Sequence, residues 1–76
     1  MGLTLTEAKK NILRELNGNP SHGYILAKAL KVRGSTIYEH LEQLEDHGYI
    51  ESEEDGRRRI YELTKKGEMI IEAEEL

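Results

Sequence analysis

The sequence predicts a small, mainly α-helical domain that carries one β-hairpin (α+β), with its elements in the order α-α-α-β-β-α. Four segments repeat apolar residues at helical spacing, whereas the segment after Gly48 changes to strand-like alternation around a tight Asp-Gly turn. The length of 76 residues is that of one domain. We therefore expect residues 1–76 to form a single domain in which residues 65–76 are the last helix.

The first helix is predicted over residues 6–17. Thr6 can cap its start by accepting a hydrogen bond from a backbone N–H of the first turn. The residues predicted on its apolar side are Ala8, Ile12, Leu13 and Leu16. The residues predicted on its exposed side are Lys9, Lys10 and Arg14. Pro20, inside a cluster of turn-forming residues, then prevents the helix from continuing.

The second helix is short and is predicted from His22 to Leu30. A tight turn at residues 31–34, which contains a glycine, joins it to the third helix. Two helices with such a connection are typical of a helix-turn-helix, whose second helix enters the major groove of DNA. The residues predicted on the apolar side of the second helix are Tyr24 or Ile25, with Leu26, Ala29 and Leu30.

The third helix is predicted from about Ser35 to His47. Either Ser35 or Thr36 can cap its start, and Glu39 would complete a capping box with Thr36. Gly48 marks its end, because glycine enters the left-handed conformation at low cost. The apolar stripe that should face the core consists of Ile37, Leu41 and Leu44.

The hairpin is predicted with Asp55 and Gly56 as a two-residue turn. This turn would place Glu54 opposite Arg57, and the same pairing would set further acids opposite arginines near the tip. Apolar residues would then share one face of the hairpin. The residues predicted on that face are Ile50, Tyr61 and Leu63.

The last helix is predicted from Lys65 to Leu76, with Thr64 as its cap. One side of it is apolar, and a single apolar stripe on a terminal helix has few partners within a domain of this size. Pairing of two copies across a two-fold axis would bury the stripe. We therefore predict a homodimer whose contact residues are Met69, Ile70, Ala73 and Leu76.

The net charge of −4 is distributed unevenly along the chain. Residues 1–66 carry equal numbers of acidic and basic side chains, so the acidic excess lies wholly in residues 67–76. Local clusters, rather than the overall sign, then decide what the surface attracts. Because the sequence has no cysteine, no long apolar run and no signal sequence, we expect a soluble, cytoplasmic protein without disulfides or membrane contact.

The sequence contains no catalytic or metal-binding motif. His40 and His47 lie two turns apart on one helix, too far along its axis for both to hold one ion without a partner chain, and no cysteine assists them. There is no nucleophile motif, no glycine-rich phosphate loop and no carboxylate pair in an apolar setting. We therefore predict that the protein is not an enzyme and uses neither a cofactor nor a metal.

Three short motifs stand in order along the chain between His22 and Gly67. They are His22-Gly23-Tyr24-x-Leu26, then Ser35-Thr36-Ile37-Tyr38-x-x-Leu41-x-x-Leu44-Glu45-x-x-Gly48-x-Ile50, and then Arg58-x-x-Tyr61-x-Leu63-Thr64-x-x-Gly67. In this order and at this spacing they resemble the PadR-like transcriptional regulators. The resemblance implies a winged helix-turn-helix fold, which the predicted order of elements also matches.

This resemblance also implies a homodimeric, repressor-like protein that binds double-stranded DNA. The third helix would enter the major groove, and the hairpin over about Glu51–Glu62, called the wing, would reach the neighbouring minor groove or the backbone. The residues expected near base edges are Ser35, Thr36, Tyr38, Glu39 and His40. The residues expected on phosphates are Lys31, Arg33, Arg57, Arg58 and Arg59.

Several of these assignments have an alternative. Tyr38 borders Ile37 and Leu41 and could be a core residue instead of a DNA contact. The three arginines could form ion pairs within an acidic hairpin, although exposed pairs contribute only about 0 to 1 kcal/mol to stability. The whole domain could be a protein-interaction module without DNA binding. The residues identify neither an operator sequence nor an effector.

Overall fold

The computed structural model describes residues 4–74 of the chain and contains four helices and three short strands in that range. The predicted order α-α-α-β-β-α is confirmed, and one additional strand precedes the second helix. No helix within residues 4–74 is long and apolar enough to cross a membrane. The elements are α1 (Glu7–Leu16), β1 (Ser21–His22), α2 (Gly23–Leu30), α3 (Gly34–Asp46), β2 (Ile50–Asp55), β3 (Arg58–Leu63) and α4 (Lys65–Glu74).

The hydrophobic core forms around the inward side of α3. The predicted stripe of Ile37, Leu41 and Leu44 is confirmed, since each of these side chains is 0% exposed. Burial of such aliphatic side chains contributes about 1.5 to 3 kcal/mol each, so this stripe is a main source of the domain's stability. The other core residues are Ile12, Leu13, Leu16, Leu26, Tyr49, Ile50, Tyr61 and Ile71.

Helix α1 begins as predicted but turns a slightly different side toward the core. The Thr6 hydroxyl accepts a hydrogen bond from the Lys9 backbone N–H at 3.4 Å, which confirms Thr6 as the cap. Two side-chain predictions are wrong: Ala8 is exposed, and Lys9 is buried. Lys9 is spaced three residues before Ile12, so its aliphatic stem continues the buried stripe, whereas Ala8 lies beside it.

Helix α3 begins and ends one residue earlier than predicted, and Gly48 closes it as the sequence predicts. Its N-cap is Arg33, and the predicted capping box of Thr36 with Glu39 is wrong because both residues already lie inside the helix. At the other end, Gly48 has a φ of +79°. The Gly48 and Tyr49 N–H groups donate to carbonyls of the last turn, and this pair of bonds is a Schellman motif.

The hairpin turn contains Gly56 and Arg57, not Asp55 and Gly56 as predicted. Gly56 has a φ of +66° at the first turn position, and Arg57 does not have a positive φ, which matches a type II′ turn. Asp55 is therefore paired with Arg58, and each strand pair is shifted by two residues from the prediction. A shift of two keeps every side chain on its face, so the prediction that Ile50, Tyr61 and Leu63 share a face is confirmed.

Strand β1 was not predicted and adds an edge to the hairpin. Ser21 and His22 pair with Tyr61 and Ile60 of β3, which gives an antiparallel sheet in the order β1-β3-β2. Directly paired residues share a face, so His22 lies on the side of the sheet that faces away from the core. The sheet thereby connects the start of α2 to the hairpin.

Helix α4 packs its first turn against the loop that follows α3. Thr64 caps α4 by accepting from the Gly67 N–H at 3.2 Å, as predicted. The Thr64 hydroxyl and the Lys66 ammonium donate to the carbonyls of Gly48 and His47. The backbone of Gly67 lies against the Tyr49 carbonyl, so closely that a Cβ at residue 67 would overlap it. Three successive carbonyls therefore hold the start of α4.

Candidate nucleic-acid interface

The start of α3 differs in charge from the starts of α1 and α4. Thr6 and Thr64 cap α1 and α4, and the first turn of each of those helices contains an acid. Within residues 4–74 the side chain of Arg33 makes no capping hydrogen bond at the start of α3, and the first turn of α3 has no acid. The backbone N–H groups and the helix dipole therefore present a positive, hydrogen-bonding end that favours anions.

Most of the residues predicted to contact DNA are accessible. Only Thr36 and His40 among them are half-buried, and the others are exposed. Those on α3 lie off the buried stripe, on the first half of the helix. The exposed residues are Lys31, Arg33, Ser35, Tyr38, Glu39, Arg57, Arg58 and Arg59. The far half of α3 carries the acids Glu42, Glu45 and Asp46, which would repel a phosphate backbone.

Tyr38 is not a core residue, because 46% of it is exposed. Its ring packs on the backbone of Gly23, where an added Cβ would lie 2.5 Å from Tyr38 Cε1 and 2.8 Å from its hydroxyl oxygen. A side chain at residue 23 would therefore displace the tyrosine. The contact sets the orientation of Tyr38 against the start of α2, while the remainder of the ring faces solvent.

The turn between α2 and α3 places two cations beside the start of α3. Lys31 has a φ of +57° and is the one non-glycine residue with positive φ among residues 4–74. That conformation costs an L-residue about 1 to 2 kcal/mol. The N–H of Val32 donates to the Ala27 carbonyl at 2.9 Å, and Val32 packs against the core, which anchors the turn. Lys31 and Arg33 on either side of Val32 are exposed.

The three wing arginines have different surroundings. Arg57 lies in the turn, Arg58 donates to the Tyr24 hydroxyl at 3.0 Å, and Arg59 donates to the Ser52 hydroxyl at 3.0 Å. Acids stand opposite Arg58 and Arg59 in the sheet, yet none of the three arginines forms an ion pair within residues 4–74. The described structure therefore does not support the alternative of a salt-bridged hairpin.

The core-side face of the wing is connected to α3 by a short hydrogen-bond chain. Arg59 donates to Ser52, and the Ser52 hydroxyl donates to the Glu45 carboxylate at 2.7 Å. Tyr61 is paired with Ser52 in the sheet and is itself a buried core residue. Burial raises the pKa of the Tyr61 phenol above its usual 10.0, and Glu45 and Tyr38 raise it further, whereas Arg59 lowers it. The phenol therefore stays protonated at neutral pH.

Sequence reasoning missed the contacts on the other face of the wing. The imidazole of His22 lies 2.9 Å from the Asp55 carboxylate, and it stacks on Tyr24 with 5.8 Å between ring centres and 29° between planes. Because Tyr24 also holds Arg58, four side chains form one group, the wing clasp. Its members are His22, Tyr24, Asp55 and Arg58. The motif His22-Gly23-Tyr24 was visible in the sequence, but nothing in its spacing indicated that His22 and Tyr24 contact the wing.

Within residues 4–74, no three His, Asp or Glu side chains converge to hold a metal ion. A small cleft of about 90 Å³ lies elsewhere, between the end of α1 and β3. The candidate site is therefore the exposed surface formed by the start of α3, the turn before it and the wing.

The fold matches solved transcriptional regulators. The regulator Tm0710 from Thermotoga maritima has a TM-score of 0.85 at 30% identity, over 90% of this chain and 51% of that chain. MepR from S. aureus, solved as a complex with DNA, has a TM-score of 0.87 at 28% identity, over 92% of this chain and 61% of that chain. The adhesin competence repressor AdcR from Streptococcus pyogenes, at 23% identity, has a TM-score of 0.89 over 95% of this chain and 55% of that chain.

These similarities confirm the predicted winged helix-turn-helix fold, and the chain spans only about half to three-fifths of the length of those proteins. No functionally curated protein matches the chain. Residues 12–73 match the family described as the transcriptional regulator PadR-like family, and this range contains all three motifs that carried the resemblance. The chain therefore belongs to the PadR-like family of transcriptional regulators.

Proposed function

We propose that residues 4–74 form the DNA-binding domain of a regulator that binds double-stranded DNA as a homodimer. One observation supports this most strongly. The start of α3 and the wing present exposed cations and hydrogen-bond donors without carboxylate partners in the described chain. Phosphates of a duplex are the ligand that such a surface favours. Similarity to MepR, which was solved with DNA, supports the same conclusion.

In this proposal α3 lies in the major groove, and its exposed first half contacts the base edges. The positive end of α3 and the cations beside it contact phosphates, which set the orientation of the helix but carry no sequence information. The base-edge residues are Ser35, Thr36, Tyr38, Glu39 and His40. The phosphate residues are Lys31, Arg33, Arg57, Arg58 and Arg59.

The decisive experiment selects bound sequences from a random DNA pool and then measures binding to selected and scrambled duplexes over a salt series. We expect a selected site with two-fold symmetry, because a symmetric dimer contacts two half-sites. The logarithm of the affinity should fall linearly with the logarithm of the salt concentration, with a slope of about −0.9 per phosphate neutralised. If no sequence is enriched and DNA affinity is negligible, the domain is a protein-interaction module and the proposal is wrong.

Two kinds of variant should distinguish residues that bind phosphates from residues that recognise the base sequence. Replacing Arg57, Arg58 and Arg59 by Ala should weaken binding to selected and scrambled DNA alike, and should lower the salt slope by about 0.9 for each phosphate that is no longer neutralised. Thr36→Ala should instead relax base preference at a few positions by about 1 to 3 kcal/mol at an unchanged slope. Arg14→Ala, which removes one exposed arginine of α1, is a control for loss of an arginine outside the proposed interface. Parental binding by the triple variant at every salt concentration would exclude the wing from the interface.

We propose in addition that the outer side of α4 forms the dimer contact. Met69 is 59% exposed and Ala73 is exposed, on the side of α4 turned away from the core. Ile70 is half-buried at the boundary between the two sides, and Leu76 lies outside the described residues. An exposed apolar side on a helix at the edge of the domain is the kind of self-complementary surface that a two-fold axis buries.

Point variants test this contact better than truncation, because truncation would also remove Ile71, which is buried in the core. Met69→Glu or Ala73→Glu should convert a dimer to a monomer in analytical ultracentrifugation and weaken binding to a symmetric site more than to a half-site. Ala8→Glu, at an exposed alanine of α1, is the matched control and should remain dimeric. A parent protein that sediments as a monomer at high concentration would exclude a homodimer.

A further inference from the structure

We propose that Tyr24 and His22 are positioning residues that hold Arg58 of the wing as an ordered, unneutralised cation for a DNA phosphate. The inference rests on the proposed DNA binding and goes beyond it, because it gives roles to two residues that lie outside the proposed contact set. It is drawn from the geometry of the wing clasp, whose members come from two separate parts of the chain.

Tyr24 holds Arg58 through its hydroxyl and through its ring. The guanidinium donates to the Tyr24 hydroxyl at 3.0 Å, and its central carbon lies 4.5 Å from the ring centre. A cation over an aromatic face is attracted by the ring quadrupole, and arginine is the cation most often found there. Because Tyr24 contacts the arginine through a ring and a hydroxyl and not through a carboxylate, these contacts fix the arginine without cancelling its charge.

His22 keeps the nearest facing acid away from Arg58. Asp55 is directly opposite Arg58 in the sheet, so its side chain is on the same face and within the range of cross-strand pairs. The His22 Nε2–H donates to the Asp55 carboxylate at 2.9 Å, and Arg58 has no ion pair within residues 4–74. The same imidazole stacks on Tyr24, so it supports the ring that holds Arg58.

This arrangement prepares Arg58 for binding before DNA is present. A mobile arginine loses side-chain freedom when it binds a phosphate, and that loss weakens affinity by about two- to tenfold per side chain. An arginine that the protein has already ordered loses less. Removing a positioning residue therefore lowers the affinity but leaves the number of neutralised phosphates, and hence the salt slope, unchanged. Removing a contact residue lowers both the affinity and the slope.

The first test compares Tyr24→Phe, which keeps the ring, with Tyr24→Leu, which removes it. On the selected duplex both should bind more weakly than the parent by about two- to tenfold, Leu more than Phe, with the parental salt slope. Arg58→Ala should bind more weakly with a slope lower by about 0.9 for each phosphate that is no longer neutralised. Tyr49→Phe is the matched control, since Tyr49 also carries a cation, Lys66 at 4.4 Å, but lies outside the wing.

The second test is a double-mutant cycle on His22 and Asp55. His22→Ala should release Asp55 to pair with Arg58 and so weaken DNA binding. Asp55→Asn should then restore affinity by a larger factor in the His22→Ala background than in the parent, because only there does the carboxylate compete for the arginine. Equal factors in the two backgrounds would overturn the role of His22.

A third measurement separates failure of the inference from failure of DNA binding. Side-chain NMR order parameters of Arg58 in the DNA-free protein should be high in the parent and lower in Tyr24→Phe and Tyr24→Leu. Parental order or parental affinity in both variants would overturn the positioning role of Tyr24 alone. A parent protein without DNA affinity would overturn the proposed function and the role for phosphate together, whatever the order parameters show.

Discussion

The helical body and the wing are held in place by different kinds of contact. In the body, formed by α1, α2 and α3, the central aliphatic side chains have almost no exposed surface. In the wing, residues 53–60 include no buried side chain, and this part is held by backbone pairing with β1 and by hydrogen bonds between polar side chains on both faces of the sheet. The body thus provides the stability of the domain, whereas the position of the wing tip depends on contacts that water and salt can weaken.

The contacts in the body stabilise the folded state much more than the contacts at the tip of the wing. A fully buried aliphatic side chain contributes about 1.5 to 3 kcal/mol, whereas an exposed polar pair contributes about 0 to 1 kcal/mol. Local opening of the wing is therefore expected far below the free energy of global unfolding. The wing, which we propose contacts DNA, is in this way easier to deform than the body to which it is attached.

The largest expected effect is in the body. Leu41→Ala or Leu44→Ala should lower the free energy of unfolding by about 2 to 5 kcal/mol, because each leaves a cavity at a side chain that is 0% exposed. In a domain this small, a loss of that size leaves a large fraction of the molecules unfolded. The measurement is thermal denaturation monitored by circular dichroism. An unchanged melting temperature would show that the body is not the main source of the domain's stability.

The second prediction concerns Gly67 of α4, which packs against the loop that joins the body to the wing. Gly67→Ala should destabilise the domain by about 1 to 3 kcal/mol, although alanine favours helices, because its Cβ would overlap the Tyr49 carbonyl. Chemical denaturation measures this change. The exposed position Glu72 in the same helix provides a control, and Glu72→Ala should change stability by less than about 0.5 kcal/mol.

The third prediction has the opposite sign. Lys31→Gly should stabilise the domain by about 0.5 to 1 kcal/mol, because glycine adopts the φ of +57° without the steric cost that lysine bears. The same variant should bind DNA more weakly, since glycine cannot reach the phosphate that lysine is proposed to bind. Stability and affinity that rise together would show that Lys31 is not at the interface.

The smallest expected effect on stability is in the wing. Arg59→Ala should change the free energy of unfolding by less than about 0.5 kcal/mol, because it removes one exposed hydrogen bond to Ser52. Amide hydrogen exchange of β2 and β3 should nevertheless become faster, while exchange in α3 stays the same. Cooperative loss of α3 protection in this variant would show that the wing and the body are one unit of stability.

The helices and the core were predictable because their signal extends over many residues. Ile37, Leu41 and Leu44 recur over two turns, and the same periodicity identified Ile12, Leu13 and Leu16. Strand β1 was not predictable, since two residues carry no period and its pairing with β3 depends on tertiary structure. The hairpin shift arose because a single Asp-Gly pair does not reveal which turn position the glycine occupies.

The candidate site was predictable only in part, for a similar reason. Exposure of the first half of α3 follows from the position of its buried stripe, so local spacing was sufficient. The partners of Arg58 and Asp55 are Tyr24 and His22, which are 34 and 33 residues away in the chain. No local pattern indicates a contact across that separation, so the wing clasp required the fold.

The first turn of α4 is attached to backbone carbonyls, and this has an evolutionary consequence. Thr64, Lys66 and Gly67 contact the carbonyls of residues 47–49, which are present whatever side chains stand there. Substitutions on the exposed side of α3 can therefore accumulate without disturbing the angle between α3 and α4. Under the proposed function, a lineage can therefore change the base sequence that α3 recognises while it keeps the same attachment of α4.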